Sequence, residues 1–435
     1  MPPARPSGLP FGDGGTLPGL PMRGQYALCL PMENARPEPE GEAEGEGEGG
    51  YRDPAPFSIS AQGQQLTFYP SGGDRLAALL RLIGAARETL RLYYYVFATD
   101  DCAAKVRDAL ADAARRGVKV TLIVDDFGSA ADAKFLAPLT DAGGTVQRFS
   151  SRWGVRYLIR NHQKMAIRDG EAAIIGGFNI EQAYFDPPEK NGWNDLGVLV
   201  EGDAVKRLCD WFDLLDAWTD DSRRVTFMDA RRRVREWQAG TSTVRWLVGG
   251  PSRTLSPWAR SVIIDIALAS RLDMMVAYFS PRRGLVKRIG KVAQRGEARL
   301  LLAAKSDNGA TIGAARANYG RMLRRGVEIY EFEPGKLHAK IFVVDDVTYI
   351  GSANFDMRSL YLNLEIMLRI EDKALAERMR EFIAGHVPHS THVTRELHRQ
   401  RRTAWSRIRW SLSWFLVTVV DYTVTRRLNL GLQAS

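Results

Sequence analysis

Two short strings in this 435-residue chain carry residue types that could do chemistry together. The first runs His162-x-Lys164-x4-Asp169 and continues to Gly176-Gly177-x-Asn179. The second runs His338-x-Lys340-x4-Asp345 and continues to Gly351-Ser352-x-Asn354. In each, a histidine and a lysine stand two residues apart ahead of an apolar run, and on a β-strand that spacing puts both on one face. A single His-x-Lys is ordinary, but the whole string occurring twice points to a site. Each copy supplies an imidazole, a cation and an amide. Facing each other, the two copies would flank one phosphate. One imidazole would attack phosphorus and form a covalent phosphohistidine; the other would protonate the leaving alkoxide and then deprotonate the incoming acceptor. Lys164 and Lys340 would neutralise the non-bridging oxygens, with Asn179, Asn354 and Ser352 lining the phosphate cradle. Asp169 and Asp345 complete the strings and count with the catalytic set, although their place at strand–turn junctions favours a role in capping the turn.

An imidazole that attacks phosphorus needs its other ring nitrogen held by an acceptor, which fixes the tautomer and stabilises the cation. Asp195 in GWNDLGVLVEG and Glu365 in LNLEIMLRI stand downstream of the two strings at comparable positions and are the candidates. With the lysines doing the electrostatic work, and no carboxylate cluster suited to a magnesium or zinc pair, neither metal nor cofactor is expected. His386, His389, His392 and His398 form a second histidine group. Pro388 breaks its register and no acid or cysteine completes a shell, which argues against a metal site there.

The elements that must position these groups also come in duplicate. DRLAALLRLIGAARETL (74–90) has helical periodicity with Asp74 as N-cap, and RLYYYVF (91–97) reads as a strand. A helix at 102–116, a strand at 118–124, a helix near 131–142 and a strand at 145–149 follow. The second half repeats the order: PWARSVIIDIALAS (257–270) precedes DMMVAYFSP (273–281), and ARRGVKVTLIVDD (114–126) corresponds to AQRGEARLLLAAK (293–305). Helices alternating with buried strands predict an α/β fold of two homologous α/β/α lobes, related by a pseudo-two-fold axis with one site between them. The boundaries are a disordered segment 1–56, lobes at 57–225 and 244–385, a basic linker 226–243, and a basic, Trp-rich membrane-associating segment 386–435.

Charge separates these parts. Residues 1–55 hold nine acids against four arginines, which leaves 56 basic and 42 acidic groups beyond them, a net of +14. That excess implies an anionic partner: a phospholipid surface, nucleic acid or a phosphorylated substrate. PEPEGEAEGEGEGG (37–50) is low-complexity sequence that can bury nothing. The first residues lack the basic and apolar regions of a secretory signal, and no window has the ~18–20 apolar residues of a spanning helix. The tail RQRRTAWSRIRWSLSWFLVTVVDYTVTRRLNLG (399–431) has seven arginines, one acid and three tryptophans around an apolar stretch. Such a segment suits the headgroup region of an anionic leaflet or, alternatively, a helix packed on the core. Three cysteines, odd and scattered, support neither a disulfide framework nor zinc.

The duplicated strings resemble the phospholipase D superfamily, whose motif is His-x-Lys-x4-Asp-x6-Gly-Ser-x-Asn in two copies. The resemblance covers about residues 57–385. It implies metal-independent phosphodiester exchange through a phosphohistidine, with His162 as nucleophile, His338 as acid and base, and orienting carboxylates where Asp195 and Glu365 fall. GSANFDMRSLYLNLEIMLRI (351–370) and IIGGFNIEQAYF (174–185) are most similar to bacterial cardiolipin synthases of the shorter type without N-terminal membrane spans. Two departures stand out: Gly177 replaces the motif's serine, and the second copy is one residue short between Asp345 and Gly351. The resemblance implies phosphatidyl transfer to phosphatidylglycerol. Phospholipase D hydrolysis to phosphatidic acid is the alternative, and a nuclease or a non-enzymatic membrane protein fits less well. Anionic phospholipids and a membrane surface are the expected partners, without nucleic acid. The expected location is the cytoplasmic face of the bacterial inner membrane, or alternatively outside the cell.

Overall fold

The computed structural model describes residues 50–150, 160–220, 243–250, 255–307 and 309–420, with Arg232, Val234 and Trp237 between them. Most of the basic linker, residues 1–49 and the tail beyond 420 lie outside the described residues.

The first lobe contributes strands β1 (Phe57–Ala61), β2 (Gln64–Tyr69), β3 (Thr89–Tyr94), β4 (Lys119–Asp125), β5 (Thr145–Phe149), β6 (Lys164–Arg168), β7 (Ala172–Gly176), β8 (Trp193–Asn194) and β9 (Gly197–Glu201). The second contributes β10 (Val244–Val248), β11 (Arg271–Val276), β12 (Phe279–Ser280), β13 (Glu297–Ala303), β14 (Glu328–Phe332), β15 (Lys336–Leu337), β16 (Lys340–Val344), β17 (Val347–Gly351), β18 (Phe355–Asp356), β19 (Ile366–Glu371) and β20 (Ser390–His392). The main sheets run β1-β2-β9-β7-β6-β3-β4-β5 and β10-β19-β17-β16-β11-β13-β14-β20. Six strands of each follow one plan, β9-β7-β6-β3-β4-β5 matching β19-β17-β16-β11-β13-β14, so the faint internal repeat is a structural duplication.

Alternation along the strands decides what covers each face. Leu90, Leu92 and Tyr94 of β3 point to the outer core under helices Gly72–Gly84, Asp101–Arg115 and Ala133–Asp141. Tyr93 points the other way, into a core that spans both lobes. On β11, Leu272, Met274 and Val276 face the outer helices and Met275 faces the shared core. Helices Ala204–Asp220 and Lys373–Ala384 complete that inner layer, with Trp211, Phe212, Met379 and Phe382 buried in it. The α/β/α class holds, and the lobes are joined by apolar packing.

Two boundaries move. Residues 51–53, read as disordered, are ordered against both lobes: Tyr51 packs on Phe332 of the second and its hydroxyl accepts from Asn194 of the first. Low-complexity sequence ending at Gly50 hides this anchor. Residues 386–392, read as the start of the membrane segment, belong to the second lobe, where β20 pairs antiparallel with β14. His386 is buried there, Nδ1 against the Phe382 carbonyl at 2.8 Å and Nε2 against the Tyr51 hydroxyl at 3.1 Å.

Candidate active site

Both lysines open the strand that lies antiparallel to the central parallel strand of their lobe. Lys164 pairs with Tyr94 at the end of β3, and Lys340 pairs with Val276 at the end of β11. The two histidines therefore sit just beyond the carboxyl ends of the parallel strands, where open α/β sheets leave room for ligands.

Backbone bonds then cross from lobe to lobe. β8 runs parallel to β15, and the His338 and Ala339 N–H groups donate to the Asn194 carbonyl at 2.7 and 3.2 Å. In the counterpart, His162 N–H donates to the Leu364 carbonyl at 2.8 Å and Leu364 N–H donates to the Arg160 carbonyl at 2.9 Å. Asn194 and Leu364 directly precede Asp195 and Glu365. Each lobe thereby delivers its carboxylate to the other lobe's histidine: Asp195 Oδ2 lies 2.7 Å from His338 Nδ1, and Glu365 Oε2 lies 3.1 Å from His162 Nδ1. Sequence identified the four residues but not this exchange.

Burial sets the charge states. It lowers the His162 imidazole to about 4, with Lys164 adding to the effect and Glu365 opposing it. Burial and then Lys340 bring His338 to about 3 against the pull of Asp195. Burial alone would raise the acids, yet His338 and Lys340 hold Asp195 at about 2, and His162 and Lys164 hold Glu365 below the usual glutamate range. Burial drops Lys340 to about 8 and puts Lys164 well below its ordinary value, despite nearby Asp195 and Glu365. At neutral pH both acids are ionised and both imidazoles neutral. Each Nδ1–H is directed to a carboxylate, which leaves each Nε2 lone pair as the reactive one.

The remaining candidates divide by what they touch. Ser352, expected in the phosphate cradle, donates its hydroxyl to Glu365 at 2.6 Å; Ser359 and Asn363 donate to the other carboxylate oxygen at 2.8 and 3.4 Å. Ser352 is thus a positioning residue for Glu365. Asn179 Oδ1 accepts from Val96 N–H at 3.1 Å, and Asn354 Oδ1 accepts from Tyr278 N–H at 3.4 Å, tying each string to the loop after its central strand. Lys164 Nζ donates to the His162 carbonyl at 2.7 Å, and Lys340 Nζ likewise to that of His338.

Asp169 and Asp345 stand apart from the catalytic set. They lie at the far ends of β6 and β16, roughly 16 Å of strand from their lysines. Asp169 accepts from the N–H groups of Arg87, Glu88 and Thr89, and Asp345 from those of Ser270 and Arg271. Both adopt left-handed backbone, φ 51° and 46°, which aspartate tolerates better than most residues. They lock a hairpin to the start of the central strand. The hairpin loop has two residues in the second copy and three in the first, which absorbs the missing residue.

The substitution of Gly177 for serine also has a cause. A Cβ there would lie 2.7 Å from both Asp195 carboxylate oxygens and 3.0 Å from the His338 carbonyl. Three further residues escaped sequence reasoning. Arg75, fully buried, donates to the carbonyls of Pro70, Tyr184, Trp193 and Asp195, gathering the loop that carries Asp195. Tyr51 and Asp53 both accept from the Asn194 side chain, at 2.7 and 3.0 Å. An arginine in an amphipathic helix and a tyrosine beside a Gly/Glu tract carry no signal of either role.

The family model described as "Cardiolipin synthase, PLD-like domain" matches twice, at residues 79–215 and 263–386. The chain is 30% identical over 373 residues to the major cardiolipin synthase ClsA of Bacillus subtilis strain 168, covering 83% of this chain and 77% of that protein. It is 28% identical over 373 residues to a cardiolipin synthase of Listeria monocytogenes, with the same coverage. Phosphatidylserine synthase of Haemophilus influenzae Rd KW20 shares the fold, with a TM-score of 0.63 at 14% identity over 85% of this chain and 96% of that one.

Proposed function

Because the chain belongs to the cardiolipin synthase family of phospholipase D-like proteins, we propose that its site moves a phosphatidyl group from one phosphatidylglycerol to the headgroup hydroxyl of another. The observation that carries this reading is the exchange of carboxylates: two imidazoles, each oriented by a carboxylate of the opposite lobe, with a lysine two residues on from each.

In the first half-reaction His162 Nε2 attacks phosphorus. The P–O bond to the leaving glycerol breaks, and His338, charged in the presence of the bound phosphodiester, donates its Nε2 proton to that oxygen. His162 is given the nucleophile's role by the family resemblance, and its ring, 16% exposed against 5% for His338, is the more open to an arriving phosphate. Glu365 stabilises the cationic phosphohistidine. In the second half-reaction His338, now neutral, removes the proton from the incoming hydroxyl as it attacks, and the P–N bond breaks to release cardiolipin. Lys164 and Lys340 are proposed to stabilise the negative charge on the non-bridging oxygens, with the side-chain amides of Asn179 and Asn354 near them. Both substrates are lipids, so the reading places the enzyme peripherally on the cytoplasmic face of the inner membrane. No helix among the described residues is long and apolar enough to cross a bilayer.

The test is purified protein with headgroup-labelled phosphatidylglycerol. Cardiolipin and free glycerol in equal amounts are expected. Phosphatidic acid without cardiolipin at any lipid loading would show water to be the acceptor and overturn the synthase reading.

A further inference from the structure

Helix Ala404–Phe415 leaves most of its bulky apolar side chains outside. Its inner face lays Ser406, Trp410 and Ser413 on helix Gly309–Leu323, with Trp410 stacked on His398 at 5.6 Å and a Cβ at Gly313 reaching within 2.7 Å of Ser413 Oγ. Its outer face carries Trp405, Ile408, Leu412 and Phe415, which are 70%, 60%, 51% and 48% exposed, and the next residue, Leu416, is exposed as well. The spacing of three, four and three residues makes them one continuous stripe. A surface helix ordinarily buries its apolar side; here Trp410 is buried beside two serines, while four other bulky apolar groups face outward. A contiguous apolar patch of this kind marks an interaction surface.

Positive charge surrounds it. Arg402 and Arg407 are exposed on the same segment, and Arg283 reaches over the Trp414 ring at 5.6 Å. Arg283, Arg321, Arg324, Arg325 and Arg402 lie close enough that the other four lower the affinity of Arg321 for its proton, adding to the effect of burial. Among the described residues none of these five forms an ion pair with a carboxylate. The nearby buried acid, Glu331, is already held by Arg316 at 2.9 Å and Arg401 at 2.8 Å. A second copy of the chain seated here would set these arginines against their equivalents, so an anionic surface complements the patch better than the protein itself does.

We infer that the Trp405–Phe415 stripe and the Arg283, Arg321, Arg324 and Arg402 cluster form one docking surface for an anionic phospholipid bilayer. The apolar stripe enters the boundary between headgroups and acyl chains, and the guanidinium groups bind headgroup phosphates. The surface is joined to the rim of the site. The Thr418 hydroxyl, just past the helix, donates to the Ser280 carbonyl at 3.4 Å, and Ser280 pairs with Asp356, two residues from Asn354. Docking there holds the bilayer beside the loops that carry the second string. The inference rests on the proposed lipid chemistry only for its purpose.

The test is co-sedimentation of the full chain with phosphatidylcholine vesicles, with and without phosphatidylglycerol, alongside Ile408→Glu/Leu412→Glu and Arg321→Gln/Arg324→Gln. Binding is expected on the anionic vesicles, about 25-fold weaker in the arginine pair at low salt and about 100-fold weaker in the stripe pair. Melting temperatures should stay close to wild type, because Ile408, Leu412 and Arg324 are exposed and the half-buried Arg321 pairs with no carboxylate among the described residues. Turnover of monomeric short-chain phosphatidylglycerol should be unchanged. Equal binding to both vesicle types, or a stripe variant that melts early yet still sediments, would overturn the inference; the second would mean that protein covers the stripe. Wild type inactive on the short-chain lipid would instead sink the reading of the site, while sedimentation still decided the docking.

Discussion

Glu365 Oε2 of the second lobe lies 3.1 Å from Nδ1 of His162 in the first, and among the described residues no carboxylate of the first lobe takes its place. The carboxylate is fully buried and holds donors from Ser352, Ser359 and Asn363. Glu365→Gln would place an amide among those donors and remove the charge that supports the phosphohistidine. A fall in kcat of about 10³- to 10⁴-fold is expected, with KM within a few-fold of wild type. Asp195→Asn should act comparably through His338. Steady-state kinetics on phosphatidylglycerol check both, and an unchanged kcat would deny the carboxylates their orienting role.

The pH profile follows from the same burial. In the free enzyme His162 takes up a proton only at about 4 and His338 at about 3, while Lys340 loses its proton at about 8. As pH falls through about 4 the nucleophile is lost, and as it rises through about 8 a phosphate-stabilising cation is lost. Because His338 must carry a proton to act as acid and is neutral in the free enzyme above about 3, that proton is taken up with the substrate. The kcat/KM profile should therefore be greatest at about 3 to 4 and fall as pH rises, more steeply beyond about 8. A bound phosphodiester adds negative charge between the imidazoles and raises their pKa values. The acid limb of kcat should accordingly lie at higher pH than that of kcat/KM. Coincident limbs would mean that the substrate phosphate does not sit between the histidines.

Arg75 is a purely internal brace, and its removal separates stability from chemistry. Arg75→Met leaves four buried carbonyls without their donor, a loss of roughly 3–5 kcal/mol. Urea unfolding should show that loss. Because Asp195 hangs on the same loop, kcat should also fall in the protein that remains folded, with KM little changed.

The histidines, lysines and acids were legible because chemistry restricts their types and duplication repeats their spacing. The topology was legible for the same reason: RLYYYVF and DMMVAYF each precede a helix and a second apolar run. What the sequence hid is long-range. Nothing in the order Asp195, His338, Glu365 says that partners are exchanged, since the acids occupy equivalent places in both halves. Ser352 looked like a phosphate ligand because only its position in the string was known, not its neighbour 13 residues on. Arg75 and Tyr51 act through backbone carbonyls and an asparagine more than 100 residues away. Such contacts leave no periodicity.

The anchor at Tyr51 makes its own prediction. Its hydroxyl joins Asp53, His386 and Asn194, so Tyr51→Phe removes one oxygen that links the chain before β1 to both lobes. A loss of about 1–2 kcal/mol is expected in urea unfolding. Asp53 still accepts from Asn194 at 3.0 Å, so β8 keeps its register and kcat should fall only a few-fold. A fall as large as that of Asp195→Asn would give the Tyr51 hydroxyl a direct part in catalysis.

Gly177 offers the narrowest test of the exchanged-carboxylate geometry. Its backbone passes so close to Asp195 that even one added carbon lies 2.7 Å from both carboxylate oxygens, while the His338 carbonyl closes the third side at 3.0 Å. Asp195 cannot yield without releasing His338 Nδ1, 2.7 Å away. Gly177→Ala, and likewise Gly177→Ser, should therefore lower kcat at least tenfold, and Gly177→Val further. The pairing also keeps Asp195 ionised, so a displaced carboxylate should regain a pKa above its value of about 2. If Gly177→Ala retained wild-type kcat, the close packing of Asp195 against the first string would not be what holds His338 in place.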